Sequence, residues 1–194
     1  MIVRYLTHPE VLQDADTDRH EWQLSDVGRA RVEAFSTSGL LAGTSYIFCS
    51  AEKKARETAG IVGEALSIMP QASEDMNESD NMVSGFVAQE TFKDYFKRFF
   101  SKPKEPVVDG WETAMDAQDR IAIAYNEAME RVVGTGMRGD VLMAGHGRVG
   151  TLLYCYLTGQ AIGVEFTQPS PGHYFSYDWG AKAMLHGWKA MEEV

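Results

Sequence analysis

Two histidines occupy the same kind of place in this chain. His8 directly follows the apolar run at 2–6, and His146, set between Gly145 and Gly147, directly follows Val141-Leu142-Met143-Ala144. Both runs read as buried strands, and in an open parallel sheet ligands bind beyond the carboxyl ends of the strands. The two imidazoles can therefore converge although they lie far apart in sequence. A neutral imidazole is a nucleophile near neutral pH and forms covalent intermediates. The pair suits phosphoryl transfer, one ring attacking phosphorus while the other, cationic, holds an equatorial oxygen. The glycines beside His146 let the backbone pass close to a ligand, just where a following helix offers free N–H groups to an anion. Of the remaining histidines, His20 and His186 read as ordinary surface or core residues, and Pro171-Gly172-His173 as a turn near the pocket rim.

Other chemistry is scarce. Cys49 precedes Ser50 at a strand end, with no histidine adjacent in sequence and no metal-ligand spacing. No Gly-x-Ser-x-Gly nucleophile elbow is present, and neither a metal nor a cofactor is expected. Gly134-Thr135-Gly136-Met137-Arg138-Gly139 matches the dinucleotide fingerprint formally. That fingerprint must follow a strand and open a helix, whereas this run ends a helix and leads into a strand, so it reads as a turn.

The elements that must position these residues alternate. After the first strand and an Asp-rich loop (Asp14, Asp16, Asp18), Ser25 reads as the N-cap of a helix to about Phe35. Ser45–Cys49 is a second strand, and Ser50 caps a helix whose stripe Ala55, Ala59, Val62 and Leu66 follows the 3.6 period. A strand-like stretch near Leu66–Met69 stops at Pro70. Residues 75–112 form an insertion, with Phe92, Tyr95, Phe96 and Phe99 at helical spacing and Pro103 and Pro106 ending the helix. We read it as packed over the C-terminal strand ends, as a lid, with the alternative, favoured for the residues themselves, of a solvated amphipathic helix whose aromatic stripe faces the core. A helix over about Thr113–Val133, a strand at 141–144, a helix over Gly147–Leu157 and a late strand at Tyr174–Tyr177 complete the chain. The alternation predicts one α/β domain over 1–194, a three-layer α/β/α sandwich around a mostly parallel sheet.

Composition fits. The 194 residues carry 18 basic and 28 acidic side chains, a net charge of −10. Such a surface repels nucleic acid and anionic membrane, and excludes both as expected partners. No window approaches the roughly 18 apolar residues of a membrane span, and the apolar start is too short for a secretory signal, so a cytoplasmic location is expected. Cys49 and Cys155 are expected as reduced thiols. Neither heptads nor an identifiable exposed patch indicates an oligomeric state.

Three segments together carry a family resemblance. Leu6-Thr7-His8-Pro9-Glu10, Cys49-Ser50-Ala51-Glu52-Lys53-Lys54-Ala55-Arg56-Glu57-Thr58-Ala59 and Ala144-Gly145-His146-Gly147 resemble, in order and spacing, the histidine phosphatase (phosphoglycerate mutase-like) superfamily. That family has Arg-His-Gly after strand one, a Ser-Ser-Pro-x-x-Arg-Ala-x-x-Thr-Ala element and a second His before Gly. Met76-Asn77-Glu78 is similar to the Leu-Asn-Glu segment of its mutase members. The resemblance implies His8 as the phosphorylated nucleophile, His146 as the second pocket histidine and Glu78 as the general acid, with Asp80 a competing candidate. It implies Thr7, Ser50 and Lys54 among the substrate-binding residues.

The departures are specific. Thr7 stands for the arginine before the nucleophile, Pro9 for the glycine after it, Lys54 for the second arginine and Ser79 for a basic residue after the acid. Guanidinium grips phosphate oxygens bidentately, while lysine is a point charge. At the two arginine positions the pocket has thus lost one full charge and both forks. Lys54 is the first candidate to bind the anion and Arg148, in the first turn of the helix after His146, the second. Arg4 lies about 13 Å back along strand one, too far to take part. The expected activity is hydrolysis of a phosphorylated small molecule or phosphoprotein through phospho-His8. The alternatives are a catalytically weak member that binds a phosphorylated ligand or partner protein, and, less favoured, a mutase.

Overall fold

The computed structural model of the chain describes residues 1–79, 89–136 and 138–194. Period-2 alternation along the strands decides the layering. In β1 (Ile2–Thr7), Val3 and Tyr5 face one way and Leu6 the other; in β4 (Asp140–Gly145), Val141 and Met143 oppose Leu142 and Ala144. Leu6, Leu142 and Ala144 join Ile47 and Cys49 of β2 (Thr44–Ser50) under α1 (Asp26–Thr37) and α2 (Lys53–Leu66). Tyr5, Val141 and Met143 pack with Phe175 under α4 (Ala114–Gly134) and α5 (Gly147–Thr158). With β3 (Gln71–Ser73), β5 (His173–Asp178) and β6 (Ala183–Ala190) the sheet order is β3-β2-β4-β1-β5-β6. The first four strands run parallel and the last two pair antiparallel. This is the expected three-layer sandwich on a mostly parallel sheet.

The caps follow the local sequence where a hydroxyl stands at the turn. Ser25 Oγ accepts from the Gly28 N–H at 3.0 Å and Thr113 Oγ1 from the Asp116 N–H at 3.1 Å. Three expectations are corrected. Ser50 is the last residue of β2 and caps nothing; Glu52 is the N-cap of α2, because the Ser50 hydroxyl is drawn into the site. The third parallel strand lies beyond Pro70 rather than before it. Leu66 and Ile68 cover the α1–α2 core at the end of α2, where Ser67 turns left-handed (φ 57), so their apolar character serves the helix. Of the aromatic stripe on α3 (Gln89–Ser101), Phe92 is 39 % exposed and its place in the core falls to Phe100.

The glycine-rich run, of which Met137 lies outside the described residues, connects helix to strand as read: α4 ends at Gly134, Gly136 and Gly139 take positive φ of 67 and 158, and β4 begins at Asp140. β6 was not anticipated. It is an edge strand whose Met184 and Trp188 rest on the core while the alternate residues face water. Both cysteines are buried and unpaired. Among the described residues no helix is long and apolar enough to cross a membrane.

Candidate active site

Strand register brings the two histidines together. Leu6 pairs with Ala144 and Thr7 with Gly145, so β1 and β4 end level. The His8 N–H extends the ladder by donating to the Gly145 carbonyl at 2.9 Å, and the two imidazole centroids stand 5.2 Å apart. Beneath them the buried Tyr5 hydroxyl donates to the His146 carbonyl at 3.1 Å and accepts from the His146 N–H at 3.0 Å.

The environment assigns each ring a state. His8 Nδ1 lies 2.8 Å from the Pro9 carbonyl, an acceptor only. Nδ1 therefore carries the hydrogen, leaving a lone pair on Nε2 when the ring is neutral. Burial, with the charges of His146 and Lys54, lowers the His8 pKa to about 3, so the neutral form prevails. His146 Nε2 lies 2.8 Å from Ser50 Oγ. That hydroxyl donates to Asn77 Oδ1 at 2.8 Å and accepts from the Glu52 N–H at 3.1 Å, so the shared proton sits on Nε2. His146 Nδ1 is buried and has no hydrogen-bond partner among the described residues. Burial lowers this histidine to about 3 as well, against the opposing pull of Glu78.

Glu78 reaches the start of α5. Its Oε1 accepts from the Ser79 N–H at 2.9 Å and the Val149 N–H at 3.2 Å, and its Oε2 accepts from the Arg148 N–H at 3.2 Å. The helix N–H groups that the sequence offered to a bound anion are thus occupied by this carboxylate. Burial pushes the Glu78 pKa up, but the Arg148 and His146 charges and the backbone N–H groups outweigh it and hold it at about 2. Arg148 turns toward the site, its Nε 3.7 Å from Glu78 Oε2 and its guanidinium 5.7 Å from the centre of the Phe99 ring on α3. Asp80, the competing acid, lies outside the described residues.

The other expected ligands are engaged by the protein itself. Lys54 Nζ donates to the Glu52 carboxylate and, at 2.9 Å, to the Arg19 carbonyl. The Thr7 hydroxyl is fully buried and turned to the 168–173 loop, donating to Gln168 Oε1 at 2.6 Å and accepting from the Gly172 and His173 N–H groups at 3.1 Å each. Arg4 pairs with Asp140 at 2.9 Å, toward the opposite end of the sheet, as expected.

Some participants were not legible. Glu52, which the sequence does not single out, is buried, with Oε1 accepting from the Glu78 N–H at 2.7 Å and lying 3.5 Å from His146 Nε2. His20, read as a bystander, stands with Nε2 4.0 Å from that same oxygen. Arg120 of α4 donates to the Asp75 and Asn77 carbonyls at 2.8 and 3.0 Å while paired to Glu112 through two 2.8 Å bonds, fixing the segment that carries Glu78. Only the adjacency of Asn77 to Glu78 could have pointed to this layer. Chemically, the arrangement offers a neutral imidazole with a free lone pair, a second imidazole with a free nitrogen, and a carboxylate between them and Arg148.

Comparisons with known proteins bear on the family and the fold. The profile of the histidine phosphatase superfamily (branch 1) matches residues 7–169. No curated protein matches the chain. Among solved structures, mycobacterial glucosyl-3-phosphoglycerate phosphatase with inorganic phosphate superposes with a TM-score of 0.81 at 15 % identity, over 100 % of this chain and 99 % of that one. Phosphoserine phosphatase from Entamoeba histolytica, in complex with 3-phosphoglyceric acid, gives 0.76 at 12 % identity over 100 % and 99 %. A Bacillus stearothermophilus protein gives 0.73 at 18 % identity over 97 % and 94 %. At these identities the likeness is one of fold.

Proposed function

The chain belongs to the histidine phosphatase superfamily, and from that premise we propose that it is a metal-independent phosphomonoester hydrolase working through a phosphohistidine on His8. The observation that carries this reading is the Nδ1–H bond from His8 to the Pro9 carbonyl, which leaves Nε2 unprotonated between the strand ends. His8 Nε2 attacks phosphorus, the N–P bond forms and the ester P–O bond breaks. The departing oxygen needs a proton as it leaves. Glu78 is ionised in the free protein, so the proton comes from the substrate monoanion and passes through Glu78 to the leaving oxygen. In the second half-reaction the Glu78 carboxylate takes a proton from water, whose oxygen attacks phosphorus and frees His8. His146 is neutral in the free protein rather than cationic as expected, so its Nδ1 takes up a proton when the anion binds and then donates it to an oxygen of the transferring phosphoryl group. The substrate is a phosphorylated small molecule or a phosphoprotein.

The test is phosphate release with chelator present, over a panel of aryl and alkyl phosphates that includes 3-phosphoglycerate and phosphoserine, after the two neighbours. Wild type turns over at least one ester and forms an acid-labile phosphoprotein, and His8→Ala abolishes both. One observation favours a second reading, a member that binds phosphorylated ligands without turnover: Glu52 neutralises Lys54 and Glu78 fills the α5 terminus. Equal inactivity of wild type and His8→Ala across the panel decides for that reading.

A further inference from the structure

The pocket lacks the guanidinium that its family places before the nucleophile, and Thr7 cannot replace it because its hydroxyl faces the 168–173 loop. The hydrogen bonds of that hydroxyl nevertheless settle the orientation of another side chain. A hydroxyl has one proton and two lone pairs. Both lone pairs of Thr7 Oγ1 receive backbone donors, the N–H groups of Gly172 and His173. The Gln168 atom 2.6 Å away must therefore accept, so it is Oε1. The alternative acceptor, the His173 carbonyl, is farther at 3.2 Å and does not change this, since the oxygen has no lone pair left for an amide N–H.

With Oε1 anchored on Thr7, the amide nitrogen points away from it. Nε2 stands 2.5 Å from where a Cβ on Gly147 would lie, so only glycine admits it there. Gly147 follows His146 and opens α5, so the N–H2 group lies against the backbone that follows one histidine, while Thr7, which anchors the other end of the amide, ends β1 just before the other. Among the described residues this nitrogen has no hydrogen-bond acceptor.

We propose that Gln168 donates its side-chain amide N–H to an oxygen of the transferring phosphoryl group, standing in for the missing arginine, and that Thr7 is the positioning residue that holds the amide in that sense. The inference rests on the phosphoryl-transfer reading above. A neutral amide gives one directed bond without a charge, so the pocket trades electrostatic pull for orientation. The loss of arginine and the gain of Thr7 are then one change: threonine is short enough to leave room for Gln168 and carries the hydroxyl that aims it.

Orthovanadate is the probe, read both as competitive inhibition of nitrophenyl phosphate hydrolysis and by direct calorimetric titration. Gln168→Leu weakens vanadate about tenfold or more, the scale of a lost hydrogen bond to a charged group. Gln168→Glu weakens it further. The near-isosteric carboxylate still accepts the Thr7 proton but turns a negative oxygen toward the anion, whereas a merely structural role for Gln168 makes this the milder of the two changes. Thr7→Val matches Gln168→Leu, Thr7→Ser restores binding, and the Thr7→Val/Gln168→Leu pair is no weaker than either single change, the signature of one coupled unit. Melting curves establish that each variant is folded. Vanadate affinity within twofold of wild type in Gln168→Leu, or a milder effect for Gln168→Glu, overturns the assignment while the phosphatase reading stands. Absence of both turnover and vanadate binding in wild type overturns the two together.

Discussion

In the proposed mechanism Glu78 has two duties that set opposite demands on its charge. As a carboxylate it accepts three backbone N–H groups and caps α5, which favours the ionised form and holds it at about 2. As an acid it must carry a proton at the moment the ester bond breaks. The two are compatible only if the proton is transient, supplied with the substrate and passed on at once. Glu78→Gln keeps much of the size and some of the hydrogen bonding but can neither hold nor take that proton. It therefore costs turnover of alkyl phosphates about 10²–10⁴-fold. Nitrophenyl phosphate, with a leaving group that needs no proton, still phosphorylates His8, and the failing water step gives a burst of one nitrophenolate per protein molecule. Equal loss on both ester types with no burst removes Glu78 from the acid–base role. The sequence pointed to Glu78 because it stands beside Asn77 in a segment with a family pattern. It could not show the α5 cap, since the two partners lie 70 residues apart.

At the scale of elements, the site is a set of chain ends held by neighbours rather than a rigid block. β1 and β4 deliver the histidines by register. The Glu78 segment belongs to no long element, and Arg120 on α4 holds it through the Asp75 and Asn77 carbonyls. Arg120→Met, which keeps the aliphatic stem but not the donors, should shift Glu78 by a fraction of its reach, at a cost of about a hundredfold on alkyl phosphates. Nitrophenyl phosphate turnover falls less, because its leaving oxygen does not call on Glu78. Equal effects on both esters would make Arg120 a general stabiliser only. The elements themselves were largely legible, because strand alternation, the Ser25 cap and the 3.6-residue stripe of α2 are local signals. Those misplaced, the cap of α2 and the strand beyond Pro70, are places where a distant partner overrode local preference: the Ser50 hydroxyl went to His146 and Asn77, and Leu66 and Ile68 pack on the α1–α2 core while Met69 is left exposed.

Across the whole molecule, a net charge of −10 repels anions at long range, and the site does not reverse that with a surplus of cations. Lys54 is matched by Glu52 and Arg148 by Glu78, so in the proposed reading directed donors and the imidazoles carry much of the recognition. Burying those imidazoles as neutral rings has a global consequence. His8 and His146 are held at about 3, below the 6.5 of a free histidine, and Glu78 at about 2, below its ordinary 4.5. In each case the unfolded chain binds protons that the folded one refuses. Stability from these groups is therefore complete above about pH 6.5 and lost progressively as pH falls toward 3 and then 2. Melting temperature should fall steadily between pH 7 and pH 4, with His146→Gln flattening the slope; a melting temperature flat over that range would contradict the buried neutral rings. By itself the sequence determined the layer architecture, the placing of His8 and His146 at strand ends and the family, because periodicity, turn chemistry and motif spacing are written along the chain. Only the tertiary structure decided which charges are spent on one another, that Glu52 is buried, that Glu78 fills the α5 terminus and that Thr7 aims Gln168. Hydrogen-bond partners across 70 to 165 residues are set by where strands end and loops return, and no local pattern encodes that.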